Sequence, residues 1–147
     1  MTMQSKLDKY IESFFNMRTS PTLLPYKAII MLTVADFICS GLIDTPKIQF
    51  NQHFKEQFVL NWRKYSKDTS LLEMPDIQKQ IIMMQQENFW KVSTLDDSLF
   101  VLDVDLFTYL KNRSSCFILR KTLVEKFLPL SINDFNKEYE IVNADIM

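Results

Sequence analysis

The chain has 147 residues, enough for one domain with a real core and too few for two ordinary ones. Hydrophobic residues make up 47% and charged residues 24%, which excludes disorder over most of the length. Seventeen basic residues against eighteen acidic ones leave a formal charge of −1, so uniform attraction to a polyanion is excluded and any nucleic-acid binding must be local.

Leu7, Tyr10, Ile11, Phe14 and Phe15 recur at helical spacing and predict a first helix with Lys6, Lys9 and Glu12 on its wet face. After a loop closed by Pro21 and Pro25, the run Tyr26 to Ser40 is apolar nearly all round and predicts a buried central helix. Gly41 supplies the left-handed residue that ends it, with Leu42 as a hydrophobic cap. Lys47 to Phe50 alternates polar and apolar like a short strand, and Asn51 follows as an N-cap. A third helix then carries Phe54, Phe58, Leu60 or Val59, Trp62 and Tyr65 on one stripe and stops in the polar stretch Ser66 to Ser70.

From Met74 the pattern changes. Pro75 punctuates, and the apolar runs Ile81 to Met84 and Phe89 to Val92 flank a polar Gln85 to Asn88, which reads as a hairpin. One helix from Ile77 to Gln86 is the competing reading, because Gln and Met are good helix formers. Leu99 to Leu102 is a further strand. Asp103 or Asp105 caps a short helix through Leu110, Ser114 or Ser115 caps the next, and Pro129 stops that one before Leu130. The expectation is one mainly helical α+β domain of five to six helices with a small antiparallel hairpin over residues 1–128. Residues 129–147 form a tail that docks as a short helix or stays partly mobile.

Several chemistries are excluded. A single glycine, Gly41, cannot build a glycine-rich phosphate loop or a nucleophile elbow, and a single histidine, His53, cannot build a histidine-based metal centre. The pairs Asp96-Asp97 and Asp103-x-Asp105 read as turn and cap residues rather than magnesium ligands. Cys39 and Cys116 lie in apolar runs without CxxC spacing and read as small buried hydrophobes. Trp62, Phe89 and Trp90 read as core anchors. No catalytic residue, metal or cofactor is expected. With no signal-peptide pattern and no apolar run of membrane-spanning length, the expectation is a soluble chain in the reducing cytoplasm.

Charge is distributed in blocks. Met1 to Leu72 carries nine basic and six acidic residues, Glu73 to Asp105 two and seven, and Leu106 to Phe127 five and one. The two positive blocks are placed to converge on one surface that meets phosphates while the acidic middle faces elsewhere. The tail from Leu128 to Met147, with a balance of −3, is placed to contact a partner or to shield a basic face.

The element Pro25-Tyr26-Lys27-Ala28 opening an apolar helix is the first part of a wider pattern. Phe58-x3-Trp62, the Pro75 break, Phe89-Trp90-Lys91-Val92 and Leu119-x3-Leu123-x3-Phe127 follow in order. From about Tyr10 to Leu128 this resembles the sulfur-binding domain of HNH-type, phosphorothioate-DNA-dependent restriction endonucleases. The resemblance implies a reader of double-stranded DNA in which a nonbridging phosphate oxygen is replaced by sulfur. Tyr26 stands where that family has histidine, Lys27 at the basic position after it, and Ala28 at the following proline. Pro75 matches the pocket proline, Met74 the aromatic residue before it, and Gln78 a small residue three places on. Tyr26, Lys27, Met74, Pro75 and Gln78 are therefore the expected DNA and sulfur site, with Arg18, Lys79, Arg113 and Lys121 as candidate phosphate contacts.

The physics of such a pocket is direct. Sulfur is softer and less hydrated than oxygen, so apolar atoms lose little by touching it, whereas an unmodified oxygen loses its water uncompensated. A lysine at a helix start adds charge where backbone amides already favour an anion, which gives affinity without sequence readout. The family's histidine-based nuclease domain has no counterpart in these 147 residues. The expectation is a non-catalytic DNA-binding module in a restriction context that works with a separate nuclease subunit. The alternative is a protein-interaction or regulatory subunit that keeps the scaffold without the DNA pocket.

Overall fold

A computed structural model describes residues 3–17 and 24–138. In chain order the elements are helices α1 (Met3–Phe15) and α2 (Leu24–Cys39), strand β1 (Lys47–Gln49), and helices α3 (Gln52–Lys64), α4 (Ser66–Thr69) and α5 (Ile77–Met83). Strands β2 (Trp90–Val92) and β3 (Leu99–Leu102) follow, then α6 (Val104–Lys111), α7 (Arg113–Phe127) and α8 over residues 132–138. The fold is a single mainly helical α+β domain. Its eight helices among the described residues exceed the expected five to six because the polar stretch after Lys64 and the Ile77 run each form a short helix.

The centre of the molecule is α2. Ala28, Ile29, Ile30, Met31 and Val34 are fully buried, and the helix packs against α3, α5, α6 and α7. Pro25 sits in its first turn, where no backbone N–H is required. Gly41 follows its end with φ +82°, a conformation that other residues reach only under strain. The hydrophobic cap is Ile43, packed on the core with its N–H donated to the Phe37 carbonyl. Leu42, expected in that role, is 75% exposed.

The sheet has the order β1-β3-β2, with both pairs antiparallel. The register places Ile48 opposite Phe100 and Trp90 opposite Leu102, so one face buries all four side chains. Trp90 stacks on Phe100 at 4.0 Å, and its indole N–H donates to the Ile81 carbonyl. The expected hairpin between Ile81–Met84 and Phe89–Val92 is therefore corrected. Ile77–Met83 is helical, started by Asp76, whose carboxylate accepts the Lys79 N–H, and β2 pairs with β3 instead.

The local cues gave mixed outcomes. Asn51 caps α3 by accepting the Phe54 N–H. At α7 the cap is Asn112, not Ser114 or Ser115; Ser115 is buried and its hydroxyl donates to the Tyr109 carbonyl. Asp103 holds the N-cap position of α6 but spends its carboxylate on the Tyr10 hydroxyl. Phe15, expected on the buried stripe of α1, is 49% exposed beneath the Lys126 ammonium. Trp62, Phe89 and Trp90 are core residues as expected.

Candidate functional site

The Met74–Pro75 loop does meet the start of α2. Tyr26 packs its ring against Trp62 and donates its hydroxyl to the Glu73 carbonyl at 3.0 Å. Beside this contact Met74 is 43% exposed, Pro75 is half-buried, and half-buried Gln78 reaches Asp97 at 3.3 Å. Lys79 projects from the next turn into solvent.

Lys27 is elsewhere. It is 4% exposed, and its ammonium sits 3.0 Å from the Glu87 carboxylate and 3.2 Å from the Gln86 amide oxygen. A buried cation is stable only with such partners, so the charge expected at the surface is neutralised inside the fold. Of the other phosphate candidates, Arg113 is exposed at the start of α7 and Lys121 is half-buried, 3.7 Å from Glu125. Arg18 lies outside the described residues.

A different place gathers cations. A cavity of about 450 Å³ opens between α2, α3, α7 and α8, and Lys64, Lys111, Arg113 and Arg120 all line it. Asn112 ends α6 and caps α7, so Lys111 and Arg113 flank one tight corner. Phe117 and Phe135 form its apolar wall, stacked with ring centres 5.7 Å apart. Lys64 belongs to the first positive block and the other three cations to the second. The two blocks do converge.

The charges here are ordered by ion pairs. Arg120 reaches the Asp36 carboxylate at 2.8 Å, and the other oxygen of Asp36 accepts from Asn61 and Gln57. The same guanidinium donates to the Cys116 sulfur at 3.3 Å. Burial acts to lower the Arg120 pKa, but Asp36 and Cys116 outweigh it and hold the group above its ordinary range. Lys64 pairs with Glu138 of α8 at 2.8 Å and Lys111 with Asp44 at 3.1 Å. Among the described residues Arg113 makes no ion pair.

No protein-family model matches this chain, and no curated protein is significantly similar to it. The site therefore rests on its own geometry. Charge blocks in the sequence pointed toward Lys111 and Arg120, but nothing local marked Lys64 or Cys39 as their neighbours. Cys39, expected to be buried, is exposed at the last turn of α2, while Cys116 is buried as expected. Among the described residues no helix is long and apolar enough to cross a membrane.

Proposed function

We propose that the chain is a non-catalytic DNA-binding module that reads a modified, phosphorothioated backbone, acts in the cytoplasm in a restriction or defence context, and depends on a separate nuclease subunit. The observation that carries DNA binding is the gathering of Lys64, Lys111, Arg113 and Arg120 around one open cavity on a chain of near-zero net charge; Glu138, Asp44 and Asp36 pair three of them, and Arg113, with no ion pair among the described residues, is the cation left to meet a phosphate. Contacts of this kind fix a protein on phosphates without reading bases. Tyr26, expected at the sulfur, is buried with its hydroxyl spent on the Glu73 carbonyl, so exposed Met74 beside half-buried Pro75 is what supports a second, apolar contact for sulfur. With Lys27 turned inward, Lys79 is the exposed cation nearest that loop in the chain.

The deciding experiment is a gel shift with two identical duplexes, one bearing a single backbone sulfur. Tighter binding of the sulfur duplex supports the proposal. Equal binding at moderate salt removes the modified-DNA reading, and absence of binding to both removes DNA binding. A specific observation favours a second reading, a protein-interaction subunit: the inward Lys27–Glu87 pair leaves the expected notch without its cation. Co-purification of a second protein by a chain that ignores both duplexes would establish that role.

A further inference from the structure

From the packing of α2 against α7 we infer that Cys39 and Cys116 form a peroxide-responsive thiol pair, closing to a reversible disulfide in the wall of the cationic cavity. The two helices meet in a definite register. Asp36 on α2 is bridged to Arg120 on α7 at 2.8 Å. Cys39 lies three residues after Asp36, and Cys116 lies four residues before Arg120, one helical turn along each axis in the direction that keeps them opposite. Cys39 and Cys116 line the same cavity, and Arg120 spans the corner by donating to the Cys116 sulfur at 3.3 Å.

The two thiols differ in the way a stepwise reaction needs. Cys39 is exposed, so an oxidant in solution reaches it first, and it is the last residue of α2, beside the Ser40-Gly41 turn. Cys116 is buried, which protects it from direct oxidation and pushes its thiol pKa up, while the Arg120 guanidinium opposes that shift. Arg120 is thus a positioning residue that holds the Cys116 sulfur and favours its thiolate.

The chemistry balances with hydrogen peroxide as oxidant. The Cys39 thiolate attacks one peroxide oxygen and the O–O bond breaks, giving a sulfenic acid on Cys39 and a hydroxide that becomes water. The Cys116 sulfur then attacks the Cys39 sulfur. The S–S bond forms, the S–O bond breaks, and the departing hydroxide takes the Cys116 proton as a second water. Two thiols lose two electrons and one peroxide gains them. A dithiol reductant reverses the step by exchange, as expected for a labile bond in a reducing compartment.

The test treats the full folded chain with hydrogen peroxide and follows intact mass and dimedone labelling. With only two cysteines present, a monomer that has lost two hydrogens and gained no oxygen contains the Cys39–Cys116 bond. That product, with dimedone trapping an earlier intermediate on Cys39, is the expected result. C116S is expected to stop at a dimedone-reactive Cys39 and C39S to resist oxidation. R120K retains the charge with a different reach and should close the bond roughly tenfold more slowly at an unchanged rate of Cys39 labelling. Stable over-oxidation of Cys39 in the native chain with Cys116 still reduced, or disulfide-linked dimers in place of the intramolecular bond, would overturn the proposal. Denaturing the chain should abolish the preference for intramolecular closure; equal closure rates folded and unfolded would also overturn it. None of these readouts depends on DNA binding.

Discussion

The Lys27 ammonium and the Glu87 carboxylate lie 3.0 Å apart inside the fold, linking the second residue after Pro25 to the turn that follows α5. Both side chains are almost wholly removed from water, at 5% and 9% exposure. Truncating one partner leaves the other's charge buried. K27A is expected to destabilise the chain by about 3–5 kcal/mol in urea unfolding, whereas K27M with E87L should recover most of that loss because apolar groups need no compensation. A K27A protein as stable as the parent would contradict the burial of this pair.

Among the described residues, Arg113 is the cavity-lining cation without an ion pair. Under the DNA proposal, R113A should weaken binding to sulfur-bearing and ordinary duplexes equally and reduce the slope of log affinity against log salt by about one. Stability should change by less than about 0.5 kcal/mol, since the side chain is exposed and unpaired among the described residues. Substituting Pro75 should act in the opposite sense, lowering the preference between duplexes with little change in the salt slope. Gel shifts across a salt series separate the two effects.

Under the DNA proposal, two acidic groups of α8 would compete with phosphates for the lysines they pair with. Asp134 contacts Lys67 at 2.6 Å and Glu138 contacts Lys64 at 2.8 Å. D134N with E138Q should therefore raise affinity for any duplex several-fold at low salt, an effect that fades as salt screens it. F135A removes a buried ring stacked on Phe117 and should cost about 3 kcal/mol, read as an earlier urea midpoint.

Acid should release this contact. The hydrogen bond and charge of Lys67 hold the Asp134 carboxyl below its usual range in the folded state. A depressed folded pKa means that the stabilising pair is fully present above the ordinary carboxylate pKa and is lost as pH falls through the lower folded value. Carbon-detected NMR should show Asp134 titrating below the ordinary range, and K67A should return it there. Asp96, held down by the Ser98 hydroxyl and backbone N–H, should rise only partway in S98A, which keeps the backbone N–H.

The features legible in the sequence were those set by neighbours along the chain. Asn51 next to an apolar stripe marked the start of α3, Gly41 marked the end of α2, alternation marked β1, and the short apolar run Leu99 to Leu102 marked β3. Phe89-Trp90 leads into a strand, but its partner is β3, and Ile81 joins a helix because Asp76 caps it five residues upstream. Alternation could not choose between these partners. At the site, the meeting of Tyr26 with the Met74–Pro75 loop followed the expected layout, yet the inward turn of Lys27 depends on Glu87, 60 residues away. Long-range charge pairing leaves no local trace, and the same holds for Lys64 beside Arg120 and for the exposure of Cys39.

The two outer strands, β1 and β2, are only three residues long. Each presents too few free amides and carbonyls to template a neighbouring polypeptide, and Lys47 and Lys91 add exposed charge at these rims. Growth of this sheet into a continuous ladder between molecules is thereby disfavoured at both ends, which guards an aromatic-rich chain against edge-to-edge aggregation.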